Sequence, residues 1–142
     1  MDYEISDDPA RLDLDAVHGY LAGESYWAKG VPREVFERAV AGSLNLGAYD
    51  RDGRQAGYAR VVTDRATFGW VCDLFVLSGH RGRGLGRALV RAIAEHPDLR
   101  GVRRLMLATE DAHGLYESQG YRLVVPGKYM EVTMQPPWRA AR

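Results

Sequence analysis

Leu12, Leu14, Val17 and Leu21 fall near a helical period, and their spacing predicts a helix over 13–22. A short strand over 3–5 precedes it and ends at Asp7-Asp8-Pro9. Residues 23–30 read as a loop carrying aromatic and polar side chains. Pro32 suits the first turn of a second helix, whose apolar face is Val35, Phe36, Ala39 and Val40. Strand patterns then follow over 44–49, 55–63 and 68–77, punctuated by Asp50-Arg51-Asp52-Gly53 and by Asp64-Arg65.

After this antiparallel meander the period changes. Leu85, Leu89, Ala92 and Ile93 mark a helix over 84–94, stopped by His96-Pro97. Residues 102–107, with apolar Val102, Leu105, Met106 and Leu107 and no alternation, are expected to form a strand covered on both faces. Strand, helix and strand in that order imply a right-handed parallel crossover. A short helix over 111–119 is closed by Gly120. Strands over 121–125 and 129–133 are expected to complete the sheet, with a loose tail from Gln135. The expected fold is α/β: a mixed, mostly antiparallel sheet with a central parallel βαβ crossover and helices on both faces.

The chain has 142 residues, enough for one domain (core about 3–134) and too few for two. Hydrophobic residues make up 46% and charged ones 27%, ordinary for a globular protein. Lys+Arg and Asp+Glu both number 19, so no global basic field exists to recruit nucleic acid. Cys72 is the single cysteine, which excludes an internal disulfide and a multi-cysteine metal site. It lies in an apolar strand and reads as a small core hydrophobe. No signal-peptide run or membrane-length apolar stretch is present, so a cytoplasmic location is expected.

Candidate chemistry concentrates in Ser78-Gly79-His80-Arg81-Gly82-Arg83-Gly84-Leu85-Gly86-Arg87, between an apolar strand and an amphipathic helix. Gly82, Gly84 and Gly86 permit a tight turn. The first helical turn offers unpaired N–H groups and the positive end of a dipole, a place for phosphate or pyrophosphate. Arg81, Arg83 and Arg87 add positive charge. The dinucleotide fingerprint fails, since Arg87 stands where its last glycine belongs, and no Walker Gly-Lys-Ser/Thr ending occurs.

Arg81-Gly82-Arg83-Gly84-Leu85-Gly86 does fit R/Q-x-x-G-x-G/A. Downstream, Thr109 to Tyr121 looks like an N-x-x-A-x-x-x-Y-x-x-x-G-F/Y helix. With the element order, these motifs make the chain resemble the GCN5-related N-acetyltransferase (GNAT) superfamily over nearly its whole length. The resemblance implies the single-domain acyl-CoA N-acyltransferase fold, with acetyl-CoA as co-substrate and no metal. The CoA pyrophosphate would sit on the backbone of Arg81, Gly82, Arg83, Gly84, Leu85, Gly86 and Arg87. The pantetheine arm would run beside Leu74, Phe75 and Val76. The Leu74 N–H would polarise the thioester carbonyl, and Tyr116 would serve the departing thiolate as general acid. Thr109 stands where the family often has Asn; its hydroxyl can hydrogen-bond backbone but lacks the two-sided contact an amide would offer the cofactor arm.

The resemblance also implies an amine acceptor bordered by the first two helices, where Glu24, Tyr26 and Trp27 would suit a cationic or aromatic amine. Tyr26 and Trp27 could equally staple those helices together. Asp73 is the first candidate for the general base, with Glu24, Glu110 and His113 as rivals. Many family members deprotonate through water and use no dedicated base. The expected activity is acetyl transfer to a primary amine, on a small molecule or peptide, within a ternary complex. Its rivals are a different acyl-CoA donor and a non-catalytic acyl-CoA sensor. A homodimer through the late strands is common in the family; neither nucleic acid nor membrane is an expected partner.

Overall fold

A computed structural model describes residues 2–139. Five strands form one sheet in the order β1 (Glu4–Ser6), β2 (Leu44–Tyr49), β3 (Gln55–Thr63), β4 (Phe68–Val76) and β5 (Arg104–Met106). The first four pair antiparallel, and β4 pairs parallel with β5. Helices α1 (Leu14–Gly23) and α2 (Arg33–Ala41) join β1 to β2, α3 (Leu85–Glu95) makes the β4–β5 crossover, and α4 (His113–Glu117) follows β5.

Local chemistry sets several of these boundaries. The Asp13 carboxylate accepts the Ala16 N–H at 3.0 Å and so caps α1. Asp50 accepts from the N–H groups of Asp52 and Arg54 in the β2–β3 turn, where Gly53 takes φ +80°.

Each face of the sheet carries its own core. On one face α3 sets Leu85, Leu89 and Ile93 against Leu46, Ala59, Val61 and Val71. On the other, α1 and α2 set Val17, Leu21 and Phe36 against Tyr58 and Phe75. Alternation along β3 thus feeds both cores: Ala59 and Val61 point one way and Tyr58 the other. The buried Tyr58 hydroxyl donates to Asn45 Oδ1, which satisfies both polar groups inside the second core.

Three expectations change. First, β5 is only three residues long and half-buried, so the crossover lies at the sheet edge and not at its centre. Second, 121–125 and 129–133 are not strands. They carry a strand-like pattern but pair with no strand among the described residues, and Leu123, Val125 and Met130 stay 77%, 69% and 97% exposed. Alternation specifies which face a strand would bury; it does not bring a second backbone alongside. Third, the tail folds back where it is described: Arg139 Nη2 donates to Trp27 O at 2.9 Å, and its N–H bonds Pro136 O. The last three residues of that tail lie outside the described residues.

Candidate active site

The β4–β5 ladder runs only from Phe68/Arg104 to Trp70/Met106. Beyond Trp70 the two strands part, and an open cleft of about 600 Å³ lies between them. Val71 to Val76 form one wall, and 108–112 with Leu115 and Tyr116 form the other. On the opposite side of β4 the β3 ladder slips. Tyr58 pairs with Phe75 and Arg60 with Cys72, so Asp73 and Leu74 together face the single residue Ala59. This is a β-bulge, with Asp73 at φ +55°, a left-handed conformation that Asp tolerates better than most residues. The bulge places both Cys72 and Asp73 on the α1–α2 side, while Leu74 turns toward the α3 core. The backbone of Leu74, Phe75 and Val76 therefore has no partner strand on its cleft side.

One end of the cleft reaches the glycine turn at Gly86. Gly82 and Gly84 take φ +78° and +80°, conformations costly for any residue with a Cβ, and Gly84 is the N-cap of α3. The arginines differ in role. Arg81 turns inward, its Nε donating to Val76 O at 3.0 Å and its Nη2 to Tyr20 at 3.5 Å, so it fastens the turn to β4 and α1. Arg83 reaches the Tyr3 hydroxyl at 3.2 Å, which also contacts His80 Nδ1. Arg87 is exposed and its side chain bonds no other described residue. An anion at this helix start meets backbone N–H groups and two outward guanidinium groups.

The other end is organised by Asp73. Its Oδ2 accepts from Arg60 Nε at 2.7 Å and its Oδ1 from Trp27 Nε1 at 2.8 Å. Both carboxylate oxygens are occupied, and Asp73 ties the bulge to the α1–α2 loop and to β3. Cys72 lies beside it, half-buried and lining the cleft. Burial pushes its thiol up to about 11, against the pull of Arg60, so it stays protonated and is a poor nucleophile.

Tyr116 stands between the cleft and a second hollow of about 260 Å³ beside β5. Burial pushes its phenol up to about 12, so at neutral pH it remains an O–H donor. Thr109 Oγ1 accepts the Ala112 N–H at 3.1 Å, which spends its hydroxyl on shaping the turn before α4. Tyr26 accepts the Glu110 N–H at 3.2 Å and meets Trp27 edge-on at 5.0 Å, joining the α1–α2 loop to the far wall. His113 lines the second hollow and not the cleft. Glu24 is exposed and lines neither. Glu110 and Asp111 lie in the cleft wall.

A third hollow of about 360 Å³ adjoins the cleft and shares Trp27, Trp70, Cys72, Asp73 and Arg139 with it. Arg60, Trp70, Trp138 and Arg139 are residues that sequence reasoning passed over. Trp70 and Cys72 alternate on one strand, and that spacing could have flagged Trp70. Nothing local points to Arg60 or to the tail, because their placement depends on which segments meet. Among the described residues, no three His, Cys, Asp or Glu side chains are grouped to hold a metal ion. No helix there is long and apolar enough to cross a membrane.

Comparison with known proteins agrees with this geometry. Residues 14–121 match the model of the "Acetyltransferase (GNAT) family". A crystal structure from Xanthomonas campestris pv. campestris, assigned to the GNAT family, is 44% identical with a TM-score of 0.89, covering 93% of each chain. A Gibberella zeae protein classed as an acetyltransferase is 31% identical, covering 81% of this chain and 76% of that one. A Staphylococcus aureus structure classed the same way is 25% identical, with a TM-score of 0.67 over 92% of this chain and 99% of that one. With a parted β4–β5 pair, a bulged β4 and a glycine turn opening α3, the chain belongs to the GNAT family of acetyltransferases.

Proposed function

We propose that this protein transfers the acetyl group of acetyl-CoA to a primary amine by direct attack within a ternary complex. One observation carries the reading: a cleft runs from the glycine turn that opens α3, along the open edge of β4, to a chamber walled by Trp27 and Trp70. An elongated donor with a phosphate-rich head and an amide-bearing arm matches that path.

The residues divide the work. Backbone N–H groups of 81–87, with Arg83 and Arg87, would hold the pyrophosphate. The edge of Leu74, Phe75 and Val76 would pair with the arm's amides, and the Leu74 N–H would polarise the acyl carbonyl. Acetyl-CoA supplies the activated thioester: the amine nitrogen bonds the acyl carbon and the C–S bond breaks. Tyr116, kept protonated by burial, would donate its hydrogen bond to the leaving sulfur. Asp73 acts as a positioning residue, since both its oxygens already accept from Arg60 and Trp27. An ammonium acceptor would give up one proton to water in the open cleft before its nitrogen attacks and a second as the amide forms, while the sulfur leaves as the CoA thiolate.

Calorimetric titration of acetyl-CoA and CoA into the native protein and an Arg83→Glu/Arg87→Glu variant tests the donor site, followed by thiol release with a panel of amines. Saturable binding that the variant loses, with amine-dependent thiol release, is the expected result. Binding without release for any amine would favour a non-catalytic acyl-CoA sensor. No binding would remove the reading.

A further inference from the structure

We infer that the acceptor is an amine that also carries a carboxylate, held by Arg139, with an apolar or aromatic body: an α-amino acid of that type. The inference rests on the reading of this cleft as an N-acetyl-transfer site and narrows its acceptor.

The argument begins with charge. Within the chamber next to the cleft, the Asp73 carboxylate is already neutralised by Arg60 at 2.7 Å and accepts from Trp27. Arg139 lines both hollows and has no such partner among the described residues. Its Nη2 donates to a neutral carbonyl, Trp27 O, and its guanidinium lies 5.0 Å from the Trp138 ring centroid. Its Nε is buried away from the hollow and has no hydrogen-bond acceptor among the described residues. A half-buried guanidinium that lines a cavity with no carboxylate beside it among the described residues is an incomplete arrangement, and a carboxylate completes it through charge-assisted hydrogen bonds.

The remaining wall describes the rest of the molecule. Val31, Phe36, Val62, Trp70 and Trp138 make the chamber apolar, with room for a leucine- or phenylalanine-sized side chain. Arg139 sits where the chamber joins the cleft, whereas Glu110 and Asp111 line only the cleft. A zwitterion is therefore oriented: carboxylate at the junction, side chain in the chamber, amine toward the thioester path. A polycationic acceptor would find the chamber's one carboxylate already paired and Arg139 repelling it.

The test compares L-phenylalanine and L-leucine with their decarboxylated counterparts, phenethylamine and isoamylamine, by acetyl-CoA-dependent thiol release. The native protein, Arg139→Gln and Arg139→Lys are assayed. The kcat/KM of each amino acid is expected to exceed that of its amine by about 10- to 100-fold. That ratio should collapse in Arg139→Gln and return in part in Arg139→Lys. Equal use of both classes, preference for the decarboxylated amines, or an unchanged ratio in Arg139→Gln would overturn the inference while leaving N-acetyl transfer intact. Tryptophan-fluorescence titration of N-acetyl-L-phenylalanine and N-acetylphenethylamine in the presence of CoA separates the two readings without turnover. Selective binding of the carboxylate, lost in Arg139→Gln, in a protein that releases no thiol would keep the site and remove the transfer reading. Absence of that selectivity would overturn the inference.

Discussion

Arg60 Nε donates to Asp73 Oδ2 across 2.7 Å, and the two side chains are only 17% and 10% exposed. This pair bridges β3 to the bulge of β4 at the place where Asp73 also holds Trp27. The residue first suggested as a base is thus a strut between three segments. Asp73→Asn keeps the shape and tolerates the left-handed backbone, but leaves Arg60 half-buried without its counter-charge. It should cost roughly 3 kcal/mol in urea unfolding. Arg60→Met/Asp73→Asn should cost less than the two single changes summed. As a positioning residue, Asp73 leaves the pH profile of kcat/KM in the Asn variant unshifted; a profile that loses its acid limb would mark it as the base.

Tyr116→Phe removes the hydroxyl of a residue that lines the cleft while keeping the ring packed against Tyr121 at 5.6 Å. Turnover should fall by roughly 100-fold, in the range of a lost general acid. CoA affinity, measured calorimetrically, should stay near that of the native protein. Undiminished turnover would remove Tyr116 from the reaction.

Burial raises the phenols of Tyr49, Tyr58, Tyr116 and Tyr121 above their ordinary value of 10.0, Tyr116 to about 12. A group raised in the folded state contributes stability that is whole below its unfolded pKa and is lost as pH rises through the folded one. The protein should therefore hold its stability up to about pH 10 and lose it steeply toward pH 12. The share of tyrosinate absorbance owed to these four of the eight tyrosines should appear together with the loss of circular dichroism. All eight tyrosines ionising well before unfolding would contradict the burial of these rings.

Cys72 lines the cleft but its thiol is pushed up to about 11, from 9.0. At pH 8 its thiolate fraction should be ~100-fold below that of a free thiol, and alkylation by iodoacetamide correspondingly slow. Acetyl-CoA should slow it further by covering the cleft. Fast labelling at neutral pH would indicate a more accessible, ionised thiol.

The elements were legible where local chemistry decides them. Apolar periods of 3.6 and 2 marked α1, α2, α3 and β2 to β4, because their buried faces are written in consecutive residues. The glycine turn was legible for the same reason: positive φ at Gly82 and Gly84, and free N–H groups at the start of α3, follow from a few adjacent positions. Leu74, Phe75, Val76, Tyr26, Trp27 and Tyr116 do line the cleft. Glu24 and His113 were named on the same local logic and lie elsewhere, since neighbourhood in sequence said nothing of which hollow they face.

By itself, then, the sequence determined the α/β order of elements, the phosphate-type turn and the tyrosine behind it. Only the tertiary structure decided that β4 parts from β5 after Trp70, that a bulge turns Cys72 and Asp73 to one side, and that Arg60 and Trp27 bind the Asp73 carboxylate. It also decided that 121–133 stays out of the sheet and that Arg139 returns to the chamber. The physical reason is one of range. Propensity, capping and periodicity act over a few residues, whereas Trp27 and Asp73, or Arg139 and Trp27, meet across separations of 46 and 112 residues. Such meetings are set by which faces pack together, and no local pattern encodes them.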